Sequence, residues 1–166
     1  MTRAVDGSNY SSGEVYANWQ ATGYRLPTEG EWEFLARAGA GGPFTAPEAG
    51  YYQITNGSCE AGAMKTLEGL AWFCANRGGG THDVGSKGAN AWNLMDVQGN
   101  VCEWVWDLFG NYPASKTTDY RGVSTGDGRV KRGGSWSNFP RNVRLAARAS
   151  QAPGMRCNDL GFRLVR

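Results

Sequence analysis

The 166-residue chain contains a single histidine, His82, and four cysteines that never stand in a CxxC spacing. A structural zinc site needs four thiolate or imidazole ligands, and a non-haem iron centre needs more than one imidazole. We therefore expect neither zinc nor iron chemistry. We also expect Cys59, Cys74, Cys102 and Cys157 to be free thiols, with a Cys59–Cys74 disulfide as the alternative.

Long apolar runs are absent as well. No segment approaches the roughly 20 apolar residues of a transmembrane helix, and the opening MTRAVDGSNYSS lacks the apolar stretch of a signal peptide. We therefore expect no direct membrane insertion. The compartment stays open between a cytoplasmic protein and a domain displayed on a cell or virion as part of a longer protein.

The net charge is only +2, but its distribution is uneven. Nine of the 17 basic residues and one of the 15 acidic residues lie between Arg129 and Arg166. A basic tail is typical of nucleic-acid binding. Here, however, arginine alternates with glycine and aromatic residues, which favours arginines that donate to loop carbonyls. We expect no nucleic-acid partner.

Glycine is abundant, with 25 residues, beside seven tryptophans and a hydrophobic fraction of 40%. This composition supports a folded core, and the length fits one domain, 1–166. Capping-box patterns predict short helices over 11–23 and 28–39. Alternation and apolar runs predict strands over 70–73, 101–107, 129–132 and 161–165, with long loops over 39–69 and 111–128.

From Arg132 onward a frame of Gly, Trp, Arg and Pro alternates with short inserts of unrelated side chains. Neither the helical nor the strand period fits this stretch. A frame that fixes the backbone while inserts vary is typical of a binding surface, because a preorganised surface loses less entropy on binding. We expect Trp136 and Phe162 to anchor the loops.

Three segments, in this order, resemble one known family: YRLPTEGEWEFLARAG (24–39), NAWNLMDVQGNVCEWVWD (90–107) and RVKRGGSW…RLAAR…LGFRLVR (129–166). They resemble the formylglycine-generating-enzyme/sulfatase-modifying-factor domain, a variant of the C-type lectin fold. The resemblance implies an α+β, loop-rich domain in which two short helices pack on small antiparallel sheets. Domains of that family usually begin with several dozen more residues, so a minimal or N-terminally truncated version is implied.

Oxidase chemistry in that family requires a cysteine pair just after the GGS turn, where soft thiolates bind copper. The stretch after Ser135 reads WSNFPRNVRLAAR and contains no cysteine, and Cys157 stands alone beyond it. We therefore expect no copper, no iron and no enzyme activity. A metal-dependent oxidase like the formylglycine-generating enzyme, or an inactive regulatory homologue, is the alternative.

The C-terminal stretch also resembles the variable region of proteins that diversity-generating retroelements diversify by adenine mutagenesis of AAC-rich templates. Residues 132–163 fit that family's frame, although Gln151 and Met155 are not reachable from AAC by changing adenines alone. The resemblance implies a protein or other surface ligand. Its candidate binding residues are Trp136, Ser137, Asn138, Phe139, Leu145, Ala147, Ala149, Ser150, Gln151, Met155, Cys157, Asn158 and Asp159.

Within that set, Phe139, Leu145 and Met155 would form an apolar centre with a polar rim, which is the usual anatomy of an interface. Burial of Leu145 and Met155 in the core is the alternative.

One further segment, 96–103, matches the stretch of the enzyme family whose oxygens hold a structural calcium ion. Asp96 and Glu103 would contribute carboxylates, and Gly99 and Val101 backbone carbonyls; such hard ligands suit Ca²⁺. The resemblance therefore implies a calcium site, with surface charges or helix-capping carboxylates as the alternative.

Overall fold

The computed structural model describes residues 17–46, 59 and 65–166. In chain order the elements are α1 (Glu29–Arg37), α2 (Lys65–Leu70), β1 (Cys102–Leu108), β2 (Arg129–Arg132), a 3-10 turn (Pro140–Asn142), β3 (Arg148–Gln151) and β4 (Leu160–Phe162). The helix predicted over 11–23 falls mostly outside the described residues, and its last part, 17–23, forms turns and bends. Within the described ranges, no helix has the length and apolar character needed to cross a membrane.

The strands form one four-stranded sheet in the order β3-β2-β1-β4. β2 runs antiparallel to β1 and to β3, whereas β4 runs parallel to β1. The sheet is therefore mixed, and the expectation of purely antiparallel pairing is wrong for β1 and β4. The chain crosses from β3 at one edge to β4 at the other instead of turning back as a hairpin, and such a crossover can pair strands in parallel.

Helix α1 confirms the prediction over 28–39. The Thr28 hydroxyl accepts from the backbone N–H of Glu31, and the Glu31 carboxylate accepts from the N–H of Thr28. Trp32 and Ala36, both 1% exposed, face the sheet. With them the main core contains Val97, Val105, Val130 and Leu145.

A second apolar cluster consists of Phe44, Leu67, Ala71, Phe73 and Val143. Leu67 comes from α2, so the prediction of a loop through residue 69 is wrong there. The strand predicted over 70–73 is also wrong, because Trp72 makes only an isolated bridge to Gly99. A six-residue helix is too short to show a helical period, which is why the sequence pattern misses it.

Cys59 and Cys74 form a disulfide with their Cα atoms 5.3 Å apart, so the expectation of free thiols is wrong for this pair. Cys102 and Cys157 are free. The N–H of Cys74 donates to the carbonyl of Asn138 at 3.0 Å. The disulfide therefore adjoins the turn that follows β2.

Candidate ligand-binding surface

The sheet has two unlike faces. Strand alternation directs the even positions of β2 and β3, including Arg132 and Arg148, towards α1. There Arg148 binds the Glu29 carboxylate at 2.6 Å, and Arg132 binds both Glu29 and Glu33. We call this the helix face. The opposite side, the outer face, carries Cys102, Trp104, Lys131, Ala149, Gln151 and Phe162, as the strand register dictates.

The turn from Ser135 to Phe139 continues directly from β2. The Asn138 side-chain oxygen accepts from the N–H of Ser135 at 3.1 Å, and the Asn138 N–H donates to the Ser135 carbonyl at 3.0 Å. Gly134 before it has φ 69°, and a Cβ there would lie 2.6 Å from the carbonyl oxygen of Asn142. Only glycine fits this close approach, so the frame residue fixes the backbone path of the turn.

A cleft of about 210 Å³ separates this turn from the sheet. Three predicted insert residues, Asn138, Ala147 and Ala149, line it. The other lining residues are Cys102, Lys131, Gly134, Asn142 and Arg148. The cleft is therefore where residues of the sheet meet residues of the predicted inserts.

The thiol of Cys102 is buried in the wall of this cleft. Burial raises its pKa to about 11, against the opposing influence of the Lys131 ammonium. The group is therefore protonated at neutral pH, and its Sγ lies 3.8 Å from the side-chain oxygen of Asn138. A neutral thiol is a weak hydrogen-bond donor and a poor nucleophile or metal ligand.

Two further insert residues meet at the start of the same turn. One carboxylate oxygen of Asp159 accepts from the hydroxyl of Ser135 at 3.0 Å and from that of Ser137 at 3.4 Å. The Asp159 carbonyl also accepts from the N–H of Cys102 at 2.8 Å. These bonds join the segment before β4 to the turn after β2.

Three of the remaining insert residues are exposed. Met155 is 51% exposed, and Cys157 and Asn158 are also exposed, in the segment between β3 and β4. Phe139 is partly buried, with the guanidinium of Arg141 5.5 Å from its ring centre. The alternative that Met155 belongs to the core is therefore wrong.

Two predictions for this region need correction, those for Leu145 and Phe162. Leu145 is completely buried in the main core, so it cannot contact a ligand, and the core alternative is the right one. Ser150 is exposed and lies on the same side of β3 as Arg148, opposite Ala149 and Gln151, because side chains alternate along a strand; its role in binding stays a prediction. Phe162 is 64% exposed at the sheet edge and does not anchor the loops.

Trp136, the other predicted anchor, is partly buried. Its backbone N–H donates to the carbonyl of Asn100 at 2.8 Å, and the guanidinium of Arg77 lies 5.8 Å from its ring centre. Its indole nitrogen is buried without a hydrogen-bond partner. The backbone bond ties the start of the turn to the segment that precedes β1.

Both carboxylates of the predicted calcium segment have protein partners in this structure. Both Glu103 carboxylate oxygens bind Arg163 at 2.6 Å, and one also accepts from the Trp32 indole at 2.6 Å. Asp96 accepts from the N–H of Gly85 at 2.6 Å. Over residues 17–46, 59 and 65–166, no group of three or more His, Cys, Asp or Glu side chains could hold a metal. Calcium binding at Asp96, Gly99, Val101 and Glu103 stays a prediction that this geometry does not favour.

A larger cleft of about 770 Å³ opens beside the start of α1 and is lined in part by Trp19, Glu29 and Asp107. Asp107 is 1% exposed and accepts from the N–H of Glu29 at 2.7 Å. Burial raises the pKa of Asp107 to about 6, and the Glu29 carboxylate adds to this. The bond to the Glu29 N–H and the charge of Arg148 oppose the shift.

Sequence reasoning missed Lys131, Cys102 and Asn142 as residues of the smaller cleft. Alternation within RVKR does separate Lys131 from Val130 and Arg132. The pairing of Trp104 with Lys131 and of Lys131 with Ala149 is long-range, however, and no local pattern encodes it. Asn142 reaches the cleft only through the fold of the 3-10 turn.

Two helices and one small mixed sheet, joined by long ordered loops around the RGGSW turn, define an α+β domain of the C-type-lectin-like class. The chain belongs to the family described as the sulfatase-modifying factor enzyme 1-like domain, which it matches over residues 5–166.

Relatives of two kinds share this domain. The formylglycine-generating enzyme of Streptomyces coelicolor is 33% identical over 173 residues, covering 93% of this chain and 50% of the enzyme. Among solved structures, Treponema denticola variable protein 1 has a TM-score of 0.71 and 37% identity, covering 85% of this chain and 46% of that protein. PvdO from Pseudomonas aeruginosa has a TM-score of 0.66 and 31% identity, covering 85% and 51%. The chain thus spans about half the length of the relatives it matches.

Proposed function

We propose that this domain is a non-catalytic binding module that presents the inserts between Ser137 and Asp159 to a protein ligand. The observation that carries the proposal is the contrast between the buried frame residues at the start of this region and the exposed inserts around Met155. Gly134 and Arg132 of the frame are buried, whereas Met155, Cys157 and Asn158 are exposed. Side chains at such exposed positions can change with little effect on folding.

The likeness to Treponema denticola variable protein 1 supports this proposal, because the C-terminal frame of this chain resembles that of retroelement-diversified variable proteins. Insert residues in such a protein would determine the ligand, and the frame would preserve the fold. Leu145 is left out of the proposed contact surface, since it is buried.

The alternative is an oxidase, favoured by the identity to formylglycine-generating enzymes. The chemistry of the cleft argues against it. The residues after the GGS turn that line the cleft are Asn138, Asn142, Ala147, Arg148 and Ala149, and none of them has a side chain that is a good ligand for copper. Cys102 supplies one thiol there, and its raised pKa disfavours the thiolate that a soft metal needs.

The first test compares inserts with frame. A variant with Ala149, Met155, Cys157 and Asn158 all replaced by serine should keep its melting temperature within about 4 °C of the parent, since exposed substitutions change stability little. The matched frame variant, Gly134→Ala, should unfold at a clearly lower temperature because its Cβ collides with Asn142. An insert variant that loses its fold would contradict the proposal.

The second test addresses catalysis. The parent chain, loaded with copper and given a cysteine-containing peptide and oxygen, should show no conversion of the cysteine beyond that of free copper. Turnover that disappears in Cys102→Ser would establish the oxidase alternative.

A third test concerns diversification of the inserts. In the genome of the source organism, a near-identical copy of the 3′ coding stretch with adenine differences, beside a reverse transcriptase, would support it.

A further inference from the structure

The cleft between the outer face and the Ser135–Phe139 turn contains one cation, Lys131, that forms no ion pair with an acidic side chain in the part of the chain that the structure describes. Lys131 is partly buried, and its nearest hydrogen-bond partner is the Gln151 side-chain oxygen at 3.5 Å. The ion pairs of residues 17–46, 59 and 65–166 all involve arginine. Arg148 also lines the cleft, but its guanidinium binds Glu29 on the helix face. Lys131 is therefore the charge that the cleft offers to a ligand.

The neutral groups around Lys131 favour donation to the same ligand. The side-chain oxygen of Asn138 already accepts from the N–H of Ser135, which leaves its amide nitrogen to donate. The thiol of Cys102 is protonated, so it adds no negative charge. Asn142 is exposed at the wall of the cleft and brings a second amide. A cation beside neutral donors is complementary to an anion.

An acidic group also lies on this side, and it limits the charge that the ligand can carry. Asp159 does not line the cleft, and two serine hydroxyls bind its carboxylate. It still opposes negative charge near Cys102. One ammonium against one neighbouring carboxylate suits a singly charged ligand better than a phosphate group, which usually needs several cations or aligned backbone N–H donors.

From this arrangement we infer that the cleft is an anchor pocket for a carboxylate side chain, Asp or Glu, of the protein ligand, with Lys131 as the residue that selects it. The inference rests on the proposed binding function and deepens it. The insert residues Asn138, Ala147 and Ala149 would shape the pocket, while Lys131, which lies before the inserts on β2, would supply the same charge whatever the inserts are. Diversification would then alter the surroundings of a fixed charged contact.

The experiment compares two short probe peptides on the full chain. Acetyl-Gly-Glu-Gly-amide and acetyl-Gly-Gln-Gly-amide differ only in charge, and the backbone amide signals of Ala147 and Ala149 report binding in an NMR titration. We expect the Glu peptide to bind about fivefold more tightly than the Gln peptide, the preference that one partly screened ion pair provides. Lys131→Met should abolish the preference, and Lys131→Arg should retain it.

Lys116→Met is the matched control, because Lys116 is exposed in a loop and lines the other cleft. It should leave the preference unchanged. Equal affinity of the two peptides for the parent, or a preference that survives Lys131→Met, would overturn the inference. Inorganic phosphate that binds more tightly than the Glu peptide, and does so through Lys131, would overturn the carboxylate assignment.

These outcomes are separable from the fate of the proposed function. If the insert variant stays folded and no oxidation occurs, but the peptides show no charge preference, the binding module stands and the carboxylate anchor fails. Oxidase turnover would reject the binding proposal whatever the peptides do. A normal melting temperature of Lys131→Met confirms that the lost preference does not come from unfolding.

Discussion

Two neighbouring basic residues of β2, Lys131 and Arg132, lie on opposite faces of the sheet and in different environments. Arg132 points to the helix face, is 1% exposed, and is bound by Glu29 and Glu33 of α1. Lys131 points to the outer face, where no acidic side chain forms an ion pair with it among the described residues. The basic C-terminal region therefore contains cations in two environments: a buried arginine paired with α1, and a lysine on the other face for which we propose a ligand.

The strongest test of this comparison replaces each cation with methionine. Arg132→Met should lower the free energy of unfolding by about 3–5 kcal/mol, because Glu29 and Glu33 lose the cation that they share in the interior. Lys131→Met should change it by less than about 0.5 kcal/mol, as is typical away from a core contact. Urea unfolding at pH 7 measures both. Similar losses for the two variants would show that the faces do not differ as described.

A second test separates two apolar residues that the sequence presents alike. Leu145→Ala should lower the free energy of unfolding by about 3–4 kcal/mol, since it leaves a cavity in the core beneath α1. Met155→Ala, at a 51% exposed position, should stay within about 0.5 kcal/mol. Thermal and urea unfolding give both values. A large loss at Met155 would mean that this side chain packs in solution and does not belong to the displayed surface.

The third test asks how strongly the Cys59–Cys74 disulfide stabilises the turn that follows β2. The disulfide spans 15 residues, and a loop of that size predicts a loss of about 3 kcal/mol for Cys59→Ala. Amide exchange of Cys74, whose N–H donates to the Asn138 carbonyl, should accelerate more than exchange in β2. Cys157→Ala removes an exposed free thiol and is the control. If Cys59→Ala and Cys157→Ala are equally stable, the disulfide does not stabilise the turn that follows β2.

The smallest expected effect concerns pH and the helix face. Asp107 has a folded pKa of about 6, above its ordinary value of 3.8, so its ionisation opposes folding. The penalty is full above pH 6, shrinks as the pH falls through 6, and is gone below 3.8. Lowering the pH from 7 to 5 should therefore add about 1 kcal/mol of stability through this group.

Asp107→Asn provides the comparison, because its amide oxygen can still accept from the Glu29 N–H but cannot titrate. At pH 7 the ionised Asp107 lowers the stability of the parent relative to the variant. This penalty, measured by urea unfolding between pH 5 and 7, should become smaller as the pH falls. The bond to Arg25 lowers the pKa of Glu31. The stability that the ionised Glu31 contributes is therefore lost only at more acidic pH, and it does not mask the trend. A difference that is independent of pH would contradict the role of Asp107.

Local signals predict the elements whose causes are local. The capping box of Thr28 and Glu31 correctly places α1, and alternation correctly places β1 and β2. Helix α2 is missed because six residues give no period, and β3 is missed because RASQ lies inside an insert pattern with no apolar alternation. Of the candidate site, exposure of the segment around Met155 and Asn158 follows the prediction, whereas the cleft does not appear in the sequence at all.

The order of residues along the chain is enough to assign the family, to recognise the frame of glycine and arginine after residue 132, and to show that no cysteine pair follows the GGS turn. These depend on residue identity and order alone. The three-dimensional structure was needed to show that Leu145 belongs to the core, that Ser150 and Ala149 lie on opposite sides of one strand, and that Lys131, Asn138 and Ala149 line one cleft. Those facts depend on how β1, β2 and β3 pair and on which face α1 covers. Burial and charge pairing come from residues far apart in the chain, so no local pattern could have supplied them.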